Sequence, residues 1–368
     1  MNFGSEQVEL DGWLLTALEP RSEPLYLANG YLGTSLDWTG GCLPDAPPSP
    51  CFLRGVYTDP GDGGVDRLAG IPSWNRLAYS QPVRLTGYRR DLDLYRGALH
   101  TQMRLEEERG AVQVHQTVIV SRSDPHLAAI RLTVTPSFSG PIDCRAMLAR
   151  PVGTGLELQG LGLEGDGTWI RMVARRYGIE VVVRLDFLAA DWEPLTSRDE
   201  DSIIRGFRRE VRAGETVELV QMARVSSSLD EPSHPDRVGV QGAGLNTQTF
   251  AAALRAHEEA WASLWTADVE IEGDAEAQQM VRAALFYLWS TVREDDAWSI
   301  APMGLSSLGY NGHIFWDAEL WMYPALLATH PNLAKSCLSY REQRLPAARE
   351  RAASGGYRGA RFPWESAF

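Results

Sequence analysis

Alternation of apolar and polar positions dominates the first two-thirds of the chain. In IRLTVTP, residues 130–136, Ile130, Leu132 and Val134 share one face while Arg131, Thr133 and Thr135 share the other. IEVVVRLDF repeats the pattern with Ile179, Val181, Val183, Leu185 and Phe187. VELVQMARV continues it with Val217, Leu219, Ala223 and Val225, interrupted by Gln221. A period of two is the signature of a strand with one buried face. Turn-forming clusters punctuate these runs: DPGDGG, SFSGP, EGDGT and RAGE. Many short alternating strands without a long helix predict an antiparallel β-sandwich from about residue 6 to 240.

The period then changes. PSHPDRVGVQGAGLN suits a linker, and beyond it Phe250, Leu254, His257, Trp261 and Leu264/Trp265 recur at helical spacing. Asp274 is placed to cap a helix through AEAQQMVRAALFYLWSTV. A further helix is predicted from Asp317, with Pro324 about two turns in, where it would remove a backbone hydrogen bond and bend the helix. Pro331 and Pro346 suit the first turns of two more helices, and Gly355-Gly356 would stop the last. The predicted domains are a β-sandwich over 1–240, a helical linker over 241–273 and an all-α region over 274–368.

Composition narrows the partners. The 368 residues, 44% apolar and 23% charged, describe a folded globular chain too long for one ordinary core. A net charge of −13 argues against nucleic acid or an anionic membrane as partner. Lys335 is the single lysine, a skew better assigned to base composition of the gene than to binding chemistry. Cys42, Cys51, Cys144 and Cys337 lack metal-ligand or redox spacing and are read as buried free thiols. No signal peptide is read at the amino terminus, and no apolar run approaches the roughly 20 residues that span a bilayer. The expectation is a cytoplasmic protein without metal or other cofactor. A homo-oligomer stays open.

Aromatic and acidic residues carry the candidate chemistry. Seven of the twelve tryptophans follow residue 260. Trp261, Trp265, Trp289 and Trp321 fit apolar stripes and are assigned to core packing. Trp316 and Trp364 differ, because each directly precedes an acid, in FWD and FPWES. An indole offers a flat wall to the apolar face of a pyranose, and a neighbouring carboxylate accepts hydrogen bonds from its hydroxyls. The competing readings are ordinary: Asp317 as a helix cap, Glu319 at the positive end of a helix dipole, His313 as a satisfied structural histidine and Glu365 as a solvated loop acid. The residues alone leave the two readings level. The motifs GxSxG, HExxH, a phosphate-binding loop and a dinucleotide fingerprint after a strand are not found. LANGYLGT lacks the fingerprint's spacing and reads as a turn between strands.

The order of motifs resembles glycoside hydrolase family 65 over essentially the whole chain. NGYLG (Asn29–Gly33), RGVY (Arg54–Tyr57), IPSWN, LDLYRGALHTQM and SRSDPHLAAIRLTVTP occur in sequence. HEEAWASLW, VEIEGDAEAQQMVRAALFYLWS, GHIFWDAELWMYP, YREQRLPAARERA and GARFPWES follow. The resemblance implies an N-terminal antiparallel β-sandwich, a linker helix and the incomplete start of an (α/α)6 barrel. It also implies a disaccharide or other α-glucoside as substrate, cleaved with inversion by water or by phosphate. Substrate binding is implied at Trp316 and Asp317, with Trp364, Glu365 and His313 on the same rim. The FWDAELWMYP and FPWES variants look more like the hydrolases than the phosphorylases. In the family the general acid Glu lies well over a hundred residues beyond FWD, whereas 51 residues follow Asp317 here. The expectation is therefore a C-terminally truncated member, inactive alone, with no catalytic carboxylate assignable. A phosphorylase of the family and a non-catalytic sugar-binding fragment are the alternatives. Glu319, two residues from Asp317 on a predicted helix, points away from it and is read as support, not as the missing acid.

Overall fold

The computed structural model describes residues 11–367 apart from 22, 44, 45, 47, 60, 62, 63, 231–245 and 295. The linker stretch PSHPDRVGVQGAGLN lies outside these residues except for Asn246.

Nine strands form the main sheet, every neighbouring pair antiparallel. Their spatial order is Leu14–Ala17, Arg84–Asp93, Ala98–Glu107, Gly110–Val120, Leu127–Pro136, Val217–Ser227, Ile179–Leu188, Gly167–Ala174 and Glu157–Glu164. A four-stranded sheet runs Glu193–Arg198, Ser202–Val211, Gly140–Ala149, Leu77–Tyr79. Another runs Leu25–Ala28, Leu32–Leu36, Cys51–Thr58, Arg67–Ile71. One continuous core joins the three, so the expected antiparallel sandwich is the observed one. The alternating residues carry it: Ile130, Leu132, Val134, Val181, Val183, Leu185, Val217, Leu219, Ala223 and Val225 are all buried. Gln221 belongs to that core. Its side chain is fully buried, and Nε2 donates to the Trp74 carbonyl while Oε1 has no partner among the described residues, so the polar interruption in the pattern is half satisfied. All four cysteines are buried and free.

Five α-helices follow: α1 (Thr247–Leu264), α2 (Ala275–Ser290), α3 (Tyr323–Thr329), α4 (Pro331–Gln343) and α5 (Leu345–Ser354). Asn246 caps α1 by accepting from Gln248 and Thr249 N–H, while the Thr249 hydroxyl accepts from Asn246 N–H. Helix α1 lays Phe250, Ala253 and Leu254 over Ala98, Ile119, Ala129, Val220 and Met222 on the outer face of the main sheet. Asp274 caps α2 through Ala277 N–H at 2.9 Å, as predicted. Pro331 and Pro346 sit in the first turns of α4 and α5, and the chain leaves α5 at Gly355-Gly356, with Tyr357 N–H closing onto the Ala352 carbonyl. No helix among the described residues is long and apolar enough to cross a membrane.

The helix expected from Asp317 is present, and Pro324 lies about two turns into it. The missing N–H coincides with a change of winding: Ala318–Met322 is π-wound, with Tyr323 N–H bonded to the Ala318 carbonyl, and α winding follows from Tyr323. One local expectation fails. Trp321 does not pack into a core. It is 74% exposed, with Leu320 and Leu327 beside it, because no described element covers that side of the helices. Trp261, Trp265 and Trp289 are buried as predicted.

Sandwich and helices are joined by buried polar contacts. Arg122, in the turn between Gly110–Val120 and Leu127–Pro136, donates from Nη1 to the carbonyls of Trp289 (2.9 Å) and Val292 (2.8 Å), at the carboxyl end of α2. A cation there also meets the negative end of the helix dipole. Its backbone N–H donates to His257 Nδ1 on α1 at 3.0 Å. The NGYLG turn abuts the same junction. Asn29 Oδ1 accepts from Tyr31 and Leu32 N–H, while Gly30, at φ +84°, lies so close to Val292 that a Cβ would sit 2.7 Å from its carbonyl carbon.

Candidate functional site

The predicted site residues come from two segments far apart in sequence, and a minimal ladder unites them. Ile314–Phe315 pairs antiparallel with Glu365–Ser366, in the register Ile314 with Ser366 and Phe315 with Glu365. Trp316 and Trp364 are thereby brought edge to face, with ring centroids 5.2 Å apart and planes at 70°. Trp316 Nε1 donates to the Pro363 carbonyl at 2.6 Å, which fixes the indole while 43% of the residue stays exposed. Trp364 is 57% exposed. Phe315 is buried behind them and meets Trp364 edge-on at 5.8 Å. Both rings thus stay partly in solvent despite this local ordering.

Asp317 is half-buried and follows Trp316 directly. Its carboxylate makes no capping hydrogen bond, so the capping explanation does not hold. Glu319 is committed elsewhere. Arg341 of α4 grips it with Nε to Oε1 and Nη2 to Oε2, both 2.8 Å, and Nη2 also donates to the Phe315 carbonyl at 3.0 Å. A bidentate Arg–carboxylate pair fixes orientation as well as charge. Glu319 is thus a strut, as expected, and Arg341 is its partner, 22 residues away with no local signal that could have paired them.

His313 and Glu365 act as a unit. His313 is buried, with Nδ1 3.0 Å from Glu365 Oε2 and Nε2 2.6 Å from the Asp66 carbonyl. Both ring nitrogens being engaged, His313 stands behind Glu365 and holds it against the sandwich. The Tyr57 hydroxyl donates to the adjacent Gly312 carbonyl, and the Tyr340 hydroxyl lies 2.8 Å from Ser366 Oγ. Burial raises both phenols above the ordinary tyrosine range, which keeps them neutral donors. Among the described residues, no group of three or more His, Cys, Asp or Glu side chains could hold a metal ion.

The structure therefore collects Trp316, Trp364 and Glu365 on one braced edge beside Asp317. It places His313 behind them. The Asp66 carbonyl, Tyr57 and Arg341, which hold this edge, lie outside the sequence-derived set. Arg341 falls inside the YREQRLP segment, but a backbone carbonyl on a sandwich strand edge leaves no mark in a sequence.

Residues 16–264 match Glycosyl hydrolase family 65, N-terminal domain, and residues 282–368 match Glycosyl hydrolase family 65 central catalytic domain. A kojibiose hydrolase from Flavobacterium johnsoniae is 30% identical over 97% of this chain and 54% of that protein. A kojibiose phosphorylase from Thermoanaerobacter brockii is 28% identical over 97% of this chain and 51% of that protein. The structure described as a putative kojibiose phosphorylase from human microbiome superposes with a TM-score of 0.81 at 16% identity, covering 98% of this chain and 52% of that one. It has the same fold. The chain spans about half the length of the curated relatives it matches.

Proposed function

Because the chain belongs to glycosyl hydrolase family 65, we propose that the braced edge of Trp316, Asp317, Trp364 and Glu365 binds the glucosyl residue of an α-glucosidic disaccharide. The observation that carries this reading is the two-residue ladder that joins FWD to FPWES and leaves two indoles exposed beside two carboxylates. The indoles supply a flat apolar wall, and the side-chain oxygens of Asp317 and Glu365 accept hydrogen bonds from sugar hydroxyls. His313 positions Glu365. In this reading residues 1–240 form the sandwich domain, 241–273 the helical linker and 274–368 the first helices of an (α/α)6 barrel. The protein works in the cytoplasm without a cofactor.

The reaction served is inverting hydrolysis of a kojibiose- or trehalose-like glucoside. One carboxylic acid protonates the leaving oxygen, and a carboxylate activates water on the opposite face. This chain contributes the binding wall, and neither the acid nor the base is assigned to any of its residues. Glu319 is excluded by its bidentate pairing with Arg341. A second reading, phosphorolysis, rests on the kojibiose phosphorylases among the relatives. There phosphate replaces water as the nucleophile, and the product is a sugar phosphate.

Calorimetric titration of the purified chain with glucose, kojibiose and trehalose tests the wall. Trp316→Ala and Asp317→Asn should each weaken glucose binding by about tenfold or more, the equivalent of about 1.4 kcal/mol. Unchanged affinity in both variants would overturn the assignment. Incubation with kojibiose, trehalose and maltose, with and without phosphate, should give no turnover. Glucose release by the chain alone would place the acid and base within it, and sugar phosphate formation would establish the second reading.

A further inference from the structure

Beside the two tryptophans stands an aromatic residue that packing does not explain. Tyr310 (φ +55°) and Asn311 (φ +57°) are the two non-glycine residues with left-handed backbone among the described residues, and Gly312 (φ +69°) extends the run to three. The turn is closed by Asn311 N–H to the Leu308 carbonyl and His313 N–H to the Tyr310 carbonyl, each 3.0 Å. A left-handed tyrosine is disfavoured by its Cβ, and such strain survives where surrounding structure enforces it. Here the enforcement is visible. Gly312 is pressed against Leu68 of the sandwich, and the Tyr57 hydroxyl holds the Gly312 carbonyl.

The strain does not serve burial, since Tyr310 is 63% exposed. It aligns the ring with the wall. Tyr310 meets Phe315 edge-on at 5.6 Å, Phe315 meets Trp364 at 5.8 Å, and Trp364 meets Trp316 at 5.2 Å. Three exposed rings are thus strung through one buried phenylalanine into a continuous strip, each step about as wide as a sugar ring. A single glucosyl residue needs Trp316, Trp364 and the two acids. It leaves Tyr310 unused.

We propose that Tyr310 is the platform for the second pyranose of the disaccharide, so that this chain itself discriminates disaccharide from monosaccharide. The inference rests on the reading of Trp316 and Asp317 as the glucosyl wall. Holding the turn left-handed before any sugar arrives removes an ordering cost from binding. The phenol hydroxyl of Tyr310, which has no hydrogen-bond partner among the described residues, is free to meet a sugar hydroxyl.

Calorimetry with glucose and kojibiose on the intact chain tests this, using wild type, Tyr310→Ala, Tyr310→Phe, Tyr310→Asn and Trp316→Ala. Asn accepts the left-handed conformation readily, so Tyr310→Asn removes the ring while sparing the turn. Wild type should bind kojibiose about tenfold more tightly than glucose. Tyr310→Ala and Tyr310→Asn should abolish that preference while glucose affinity changes by less than about twofold, and Tyr310→Phe should retain it. A preference that survives in Tyr310→Asn overturns the proposal, as does an equal loss for both sugars. Glucose affinity that survives Trp316→Ala overturns the glucosyl-wall reading instead. No binding of either sugar by wild type overturns both.

Discussion

The folded chain should lose stability at mildly acidic pH, and one residue at the junction between sandwich and helices accounts for a measurable part of the effect. His257 on α1 is fully buried, and its Nδ1 accepts the Arg122 backbone N–H at 3.0 Å, which requires a neutral ring protonated on Nε2. Burial pushes its pKa down from 6.5 to about 4, opposed by the backbone at Arg96 and Gly97 and reinforced by the Arg122 guanidinium. Above pH 6.5 the ring is neutral in both folded and unfolded chains, and its contribution to stability is fully present. Between 6.5 and about 4 only the unfolded chain takes up the proton, so stability falls with pH, and below about 4 both forms are protonated and the decline from this residue ends. At about 1.4 kcal/mol per pH unit, the interval amounts to roughly 3 kcal/mol. The partner variant is His257→Gln, whose amide oxygen can still accept the Arg122 N–H but cannot titrate. Urea unfolding followed by tryptophan fluorescence, from pH 7.5 to 4, gives the difference in stability between the two proteins, in which the carboxylates common to both cancel. The wild type's advantage should shrink by roughly 3 kcal/mol across that range. Parallel pH profiles would refute a buried neutral His257 and with it the proposed junction chemistry.

Three further outcomes follow from the same contacts. Gly97→Ala must place a methyl group within 2.0 Å of the Trp261 indole at a residue with φ +65°; left-handed strain of about 1–2 kcal/mol and overpacking of about 1–3 kcal/mol should lower the thermal midpoint by about three to six degrees, and a shift of under about one would show that α1 does not seat there. Glu319→Gln should cost about 1 kcal/mol in urea unfolding and leave sugar affinity within about twofold, because the carboxylate serves Arg341; lost sugar affinity at unchanged stability would make Glu319 a contact residue. The four buried thiols, with Cys42 pushed up to about 12 and Cys51 to about 11 by burial, should ignore an aromatic disulfide reagent at pH 8 in the folded chain and react as four equivalents in urea. Rapid labelling of the folded chain would contradict the core described here.

Elements whose cause is local were legible in the sequence. The strands showed because each exposes one face, so Ile130, Leu132 and Val134 could be separated from Arg131, Thr133 and Thr135 by counting in twos. Asp274, Pro331, Pro346 and Gly355-Gly356 showed because caps and first-turn prolines act on backbone groups within four residues. The failure at Trp321 has a plain origin. Periodicity says which side of a helix is apolar, never what covers it, and so Trp321 reads as core on the same grounds as Trp289. One is exposed and the other fully buried.

The candidate site shows the same division. Trp316, Asp317, Trp364 and Glu365 were selectable because each acid directly follows its indole. Their assembly depends on contacts across 50 residues or more, which no spacing rule contains: Phe315 against Glu365, His313 against Glu365, and His313 against the Asp66 carbonyl of the sandwich. The sandwich is consequently not a passenger beside the helices. It supplies the Asp66 carbonyl that orients His313, the Tyr57 hydroxyl that holds Gly312, and Leu68, against which the strained turn is pressed. Helix α4 supplies Arg341 and Tyr340 from the other side. An edge braced from both sides can keep two indoles and a left-handed tyrosine in water without collapse, and the position of that edge is set by where the two halves of the chain meet.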